Sequence, residues 1–343
     1  GRSDVFGHGG ARHEAETQGL PFLGEAPLHM LIRETSDGGK PVVSAAAFLA
    51  GQAALDRCVN GFQLADTAAH LLAARNAILA DAHVVYPLAV VDSGAGVSAA
   101  IDALQQAFAG KLTITLTGTT TLVVTAAQAA ADADTLAAVT NASHALRINA
   151  PGGGYEVRTY GITGQNWTAS DVFYGANGGL VSATWTNGGA LYLSKTWDAS
   201  GAVQDVRTYV GGTFQGVAYA SFDNHYANGF RDLETFYDAS GQAVASESFS
   251  ADGGYAISLG GVLKQQKTVS AGGGYDIAVY GVTGQAYDAY DTIYDAAGKR
   301  VSQTWTKGGA LYQSETWDGA GVVQDIRTYV GGTVQGVAYA SFD

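Results

Sequence analysis

The sequence predicts an α+β fold: a small Ala-rich strand–helix module followed by an antiparallel β-hairpin repeat array, solenoid-like in character. Three observations carry this. Residues 152–223 align without a gap on residues 272–343, and about two thirds of the positions are identical. Within each copy a unit of about 20 residues recurs: an aromatic strand end, a four-residue turn, then an alternating strand. Upstream, Val97, Ile101, Leu104 and Phe108 are spaced four, three and four apart, which places them on one face of a helix. Short periodic units that cannot bury a face alone gain stability by lying against their neighbours.

Composition narrows the function classes. The 343 residues suffice for two or three domains, and the formal net charge of −13 disfavours a nucleic-acid partner, whose phosphates need clustered Lys and Arg. No run of 18 apolar residues occurs, so no membrane span is expected. Cys58 is the single cysteine, which excludes an internal disulfide and a cysteine-rich metal site. The chain opens on Gly1, no signal peptide follows and Met30 is the one methionine, so the expectation is a piece of something longer. Its 47 glycines crowd into the second half, as many tight turns would require.

Residues 1–43 form the first zone. Glu14 and Ala15 suit a short helix, and LPFLGEAPL suits a buried strand ending at a Pro27 turn. FGHGGA (Phe6 to Ala11), PFLGEAPLH (Pro21 to His29) and IRETSDGGKPV (Ile32 to Val42) together resemble the C-terminal end of Mrp-type P-loop ATPases. That resemblance implies a remnant of an iron–sulfur carrier protein. The family's Walker A loop and CxxC ligands lie upstream of this segment and are not present here, so no ATP hydrolysis by this piece is expected.

The second zone, 44–150, alternates helix and strand signals. Asp66 is the expected N-cap of a helix running to Asp81, with Ala69, Leu72, Ala73 and Leu79 as its apolar stripe. HVVYPLAVV reads as a strand, and LTITLT and TLVVT, separated by a glycine-containing turn, read as a hairpin. A second helix spans Val97 to Phe108. Thr125 with Gln128 predicts a capping box that opens a third helix ending near Asn141, before HALRIN returns to strand. LADTAAHLLAARNAILADAHV and TLVVTAAQAAADADTLAAVTNASHAL resemble the strand–helix modules of very large exported alphaproteobacterial repeat proteins.

The third zone, 151–343, carries the repeats. The turn is usually Asp-x-x-Gly: Asp198 to Gly201, Asp238 to Gly241, Asp295 to Gly298 and Asp318 to Gly321. Asp bonds the turn's own amides and Gly accepts positive φ at the exit. Comparing LYLSKTW with LYQSETW, Tyr192, Ser194 and Thr196 persist as Tyr312, Ser314 and Thr316, while Leu193 and Lys195 become Gln313 and Glu315. Alternate residues face opposite sides of a strand, so the constant face is expected to pack on the next hairpin and the variable face to meet solvent. The YDAxG phrase resembles the β-hairpin repeats of large secreted bacterial proteins, which implies type I export.

No residue is assigned to catalysis or cofactor binding. His8 and His13 stand five apart, off the spacing of a helical ligand pair, and no HExxH occurs. Paired carboxylates of a glycosidase cannot be read from spacing, and no acidic residue stands out. Asp198, Asp238, Asp295 and Asp318 are candidate calcium ligands, although plain turn chemistry already explains them, and GGGYDIAVYG matches the RTX nonapeptide only faintly. Trp197 and Trp317 are the candidate glycan-stacking residues, set against a plain cross-strand role. Asn141-Ala-Ser and Asn166-Trp-Thr match the N-glycosylation pattern, idle in a bacterial protein. The expected function is a non-catalytic structural or adhesive segment of a large exported bacterial surface protein. Its partners would be neighbouring repeats and surface glycans or proteins. The alternatives are a fragment of an Mrp-type carrier, which would place it in the cytoplasm, and a carbohydrate-binding module.

Overall fold

The structure, a computed structural model, describes residues 40–58 and 60–342. The Mrp-like head up to residue 39, with the helix and strand read in it and with His8, His13 and Met30, lies outside the described residues. Contacts divide the chain into two compact units at Gly161.

The first unit is a stack of parallel strands linked by helices. β1 (Val42–Val43), β2 (Gln63–Asp66), β3 (Leu88–Ser93) and β4 (Leu112–Thr117) pair in chain order, all parallel. β5 (Thr121–Thr125) pairs in parallel with β6 (His144–Asn149), which pairs antiparallel with β7 (Tyr155–Tyr160). A period of about 24 residues runs through the unit: Ala65 lies opposite Ala89, Leu88 opposite Leu112 and Thr121 opposite Ala145.

The helices are α1 (Ala45–Leu55), α2 (Ala68–Ala73), α3 (Arg75–Ala80), α4 (Gly94–Phe108), α5 (Ala126–Ala131) and α6 (Ala133–Ala137). Where a strand runs into a helix, a hydroxyl caps it. Ser44, Thr67, Ser93 and Thr125 accept from the amides of Ala47, His70, Gly96 and Gln128. Carboxylates at strand ends then tie one repeat to the last. Asp66 accepts from the amide of Ala45 at 3.0 Å, and Asp92 from that of Ala68 at 3.1 Å.

This geometry corrects the expected cap. Asp66 still belongs to β2 and its carboxylate reaches sideways to Ala45, so Thr67 caps the helix. The helix expected through Asp81 is broken at Ala74 (φ −91°, ψ 2°), and the buried positions are Ala68, Leu71, Ala74 and Ile78. The predicted stripe of Ala69, Leu72, Ala73 and Leu79 is one step out of phase, because Leu71 and Ile78 are the aliphatics aimed at the core; Leu79 is 48% exposed. α4 agrees with its prediction: Val97, Ile101, Leu104 and Phe108 are all buried. Its first residue must be glycine-sized, since a Cβ on Gly94 would stand 2.1 Å from the carbonyl oxygen of Thr121.

Two strand readings change as well. LTITLT and TLVVT are strands, but not a hairpin. Their backbones pair with strands one repeat away, and the Gly118 bend (φ +69°) only turns the chain between rows. In HVVYPLAVV only the part after Pro87 is strand, since proline offers no N–H to a ladder. The capping box at Thr125 and Gln128 forms as predicted, though Asp132 splits the third helix in two.

The second unit is an antiparallel meander. Its strands are β8 (Ala169–Tyr174), β9 (Leu180–Asn187), β10 (Ala190–Trp197), β11 (Val203–Thr208), β12 (Gly212–Phe214), β13 (Val217–Tyr219), β14 (Ser221–Ala227), β15 (Phe230–Tyr237) and β16 (Ala243–Phe249), followed by β17 (Tyr255–Leu259), β18 (Val262–Val269), β19 (Tyr275–Tyr280), β20 (Ala289–Tyr294), β21 (Arg300–Lys307), β22 (Ala310–Trp317), β23 (Val323–Thr328), β24 (Gly332–Val334) and β25 (Val337–Tyr339). Each strand of the main sheet pairs with the next; β12 with β13, and β24 with β25, form small side hairpins.

The two copies fold alike. β8 to β13 recur as β20 to β25, displaced by 120 residues. Even the bulges match: Trp197 pairs with Val203 after a register shift, and Trp317 with Val323.

Hairpins in this unit join edge to edge through the backbone ladder. Burial does not separate the two faces of β10 as expected: Tyr192, Ser194 and Thr196 are half-buried, and so are Leu193 and Lys195 on the other side, while the Tyr192 ring lies 6.0 Å from that of Trp167. The continuous apolar core lies wholly in the first unit. What covers the sheet is local. The β12–β13 hairpin brings Phe214 onto Phe236 (ring centroids 4.2 Å apart), with Tyr219 and Phe222 alongside, and Phe236 is 4% exposed. Elsewhere cations lie over rings, as with Arg207 at 4.1 Å from the centre of Tyr237.

Candidate binding surface at the turn rims

The four Asp-x-x-Gly turns are one device built four times. In each, the aspartate Oδ1 accepts two backbone N–H groups, those of Ser200 and Ala202, Ser240 and Gln242, Ala297 and Lys299, and Ala320 and Val322, all at 2.8–2.9 Å. The closing glycines have φ between +76° and +86°. Hydrogen bonds from Ser200 and Ser240, then from backbone amides, hold the carboxyls of Asp198 and Asp238 below the usual carboxylate range. Alternation along the meander sets Asp198, Asp295 and Asp318 on one rim of the sheet and Asp238 on the other. Each candidate calcium ligand therefore has one oxygen engaged in its own turn.

Trp197 and Trp317 occupy equivalent strand ends on that same rim, ten ladder steps apart, or roughly 48 Å measured along the sheet. Trp197 lines a cleft of about 640 Å³ between the 175–179 turn and the Asp198 turn, with Leu180 and Val181 beside it. Trp317 carries the guanidinium of Arg300 4.8 Å from its ring centre. Trp167 stands 6.3 Å from Trp185, and in the second copy Tyr287 stands 6.3 Å from Trp305.

Charged side chains unassigned by the sequence also gather. Asp56, Asp81 and His83 converge in the first unit: His83 Nδ1 is 3.3 Å from Asp81 Oδ1 and 3.7 Å from Asp56 Oδ1. These donors have divalent-cation chemistry, and a protonated imidazole pairs with both carboxylates. Asp81 is also tied down by the His83 amide and Gln52. No spacing signal marks them, because helix ends distant in sequence bring them together. Cys58 is a half-buried free thiol.

In the sheet, burial and then Asp205 raise the Asp223 carboxyl, and the hydrogen bond to Asp232 raises the His225 imidazole. Burial and then Asp276 raise Asp291, whose Oδ1 is enclosed without a hydrogen-bond partner among the described residues. The first copy holds Arg158 paired to Glu156 where the second has Ala278 and Asp276. Ala278 lies directly opposite Asp291. Ala278→Arg is therefore expected to stabilise the second unit by ~0.2–1 kcal/mol at neutral pH. A carboxyl raised in the folded state loses stability as pH rises through its folded pKa; the gain needs the ionised carboxylate, so it should be full at neutral pH and disappear as pH falls through the raised folded pKa of Asp291. Urea denaturation of both proteins at pH 7 and pH 3 measures it.

No family model matches the chain. Curated proteins match over a short stretch toward its start, the segment that resembles Mrp-type carriers. It is 53% identical over 38 residues to the iron-sulfur cluster transfer protein NUBPL of Dictyostelium discoideum, covering 11% of this chain and 12% of that protein. It is 52% identical over 42 residues to NUBPL of Mus musculus, covering 12% and 13%. It is 48% identical over 40 residues to the iron-sulfur cluster carrier protein of Pyrococcus furiosus, covering 12% and 14%. The chain thus spans about an eighth of the length of the curated relatives it matches. Among solved structures, the pneumococcal O-GlcNAc transferase GtfA in complex with UDP and GlcNAc aligns at TM-score 0.17 and 16% identity, over 63% of this chain and 36% of that one, a likeness too weak to carry an argument. Among the described residues no helix is long and apolar enough to cross a membrane.

Proposed function

We propose that this chain is a non-catalytic structural or adhesive segment of a large exported bacterial surface protein. The observation that supports it most is the repetition of β8 to β13 as β20 to β25 at a 120-residue displacement, in a sheet joined edge to edge. Such a sheet gains area by adding hairpins and needs no enclosed core. The acidic balance of −13 keeps its half-exposed faces apart in solution. Antibodies raised against residues 162–343 should label intact cells that make the protein, and protease added outside should remove the label. Labelling only after lysis would overturn the proposal. The iron–sulfur carrier reading has the 48–53% identity of the short segment in its favour. A Walker lysine and a CxxC pair encoded upstream of Gly1 in the same reading frame would decide for it.

A further inference from the structure

The two copies differ at the rim. In the second copy, Arg300 lays its guanidinium over Trp317 at 4.8 Å, and Lys299 Nζ donates to the carbonyl oxygen of Gly319 at 2.5 Å. The 295–299 turn is thereby tied to the Asp318 turn by two cations of its own chain. In the first copy the backbone is the same: Ser182 lies opposite Thr196 as Ser302 lies opposite Thr316. The cations are missing, however. Gly179 and Leu180 stand where Lys299 and Arg300 stand in the second copy.

The space between the turns is then the cleft of about 640 Å³, with Trp197 on its wall, Leu180 36% and Val181 49% exposed, and the turn backbone from Asp198 to Gly201 at its side. Asp198 is a half-buried carboxylate whose Oδ1 is held by the turn. The cleft thus offers an aromatic face and turn carbonyls, the groups that Arg300 and Lys299 use in cis, and the Asp198 carboxylate beside them.

We propose that the Trp197 cleft binds an arginine side chain of a partner protein, the guanidinium stacking on Trp197 as Arg300 does on Trp317. Arginine suits such a site because its planar, weakly hydrated cation stacks on a ring while its N–H groups still donate in plane. The inference does not depend on where the protein resides.

The test is fluorescence anisotropy of a labelled Gly-Arg-Gly-Arg-Gly peptide with the purified full chain at low salt. The same peptide carrying citrulline, neutral and nearly isosteric, is the charge control. Saturable binding is expected, weakened about tenfold or more by citrulline. Leu180→Arg should fill the cleft from within and weaken binding by about tenfold, whereas Leu191→Arg, the same change of charge at an exposed site on the opposite rim, should leave it within about twofold. No saturable binding, equal binding of the citrulline peptide, or equal weakening by the two arginine variants would overturn the proposal. So would binding of oligosaccharides without binding of the peptide.

Discussion

Replacing Phe108 with alanine is expected to destabilise the first unit by about 3–5 kcal/mol. Phe108 closes α4, is fully buried and joins the cluster that includes Leu64, Leu88 and Ile114. Truncation removes the ring's transfer free energy and leaves a cavity that the strand stack cannot collapse into, because its backbone is fixed by parallel ladders on either side. The readout is selective. All five tryptophans, from Trp167 to Trp317, lie in the second unit, and all described helices lie in the first. In urea, ellipticity at 222 nm should lose its transition at lower denaturant in Phe108→Ala while the tryptophan transition stays in place. Unchanged ellipticity would contradict the burial that the structure assigns to this ring.

Phe236→Ala should do the reverse, at a cost of about 3–4 kcal/mol. Phe236 is the most enclosed aromatic of the sheet and is shared by Phe214, Tyr219 and Phe222. Its loss removes the ring that both Phe214 and Tyr219 of the β12–β13 hairpin pack on, leaving Phe222 against Tyr219 alone. Tryptophan fluorescence should then report unfolding at lower urea, with helical ellipticity retained. Phe173→Ala, on the same sheet but 40% exposed, is the control and should shift the transition by less than about 1 kcal/mol. Equal effects of the two substitutions would mean that the cluster contributes no more than an exposed ring.

The hairpins were legible because their signals are local. An Asp that bonds amides two and four residues ahead, with a Gly at positive φ, specifies its turn without help from the rest of the chain. The helix at Val97 to Phe108 was legible for the same reason. Strand partners in the first unit were not, since a parallel partner lies a whole repeat away and Gly118 suits a hairpin or a bend between rows equally well. The sequence marked the repeat only by a hydroxyl where a strand runs into a helix, at Ser44, Thr67, Ser93 and Thr125, unevenly spaced; the 24-residue period itself appears only in the strand register. The exchange of Gly179-Leu180 for Lys299-Arg300 stood in the sequence too. Only the cross-strand register, which sets those positions against Trp197 and Trp317, gives it meaning.

An edge-joined sheet has a consequence for heredity. One 120-residue period holds ten strands of the main sheet, an even number, so removing or inserting a whole period restores every strand direction and returns each turn to its own rim. With no continuous apolar core among the described residues of the sheet to resize, such events leave the remaining ladders intact. Natural variants of the gene should therefore differ in length by whole multiples of that period far more readily than by fractions of it.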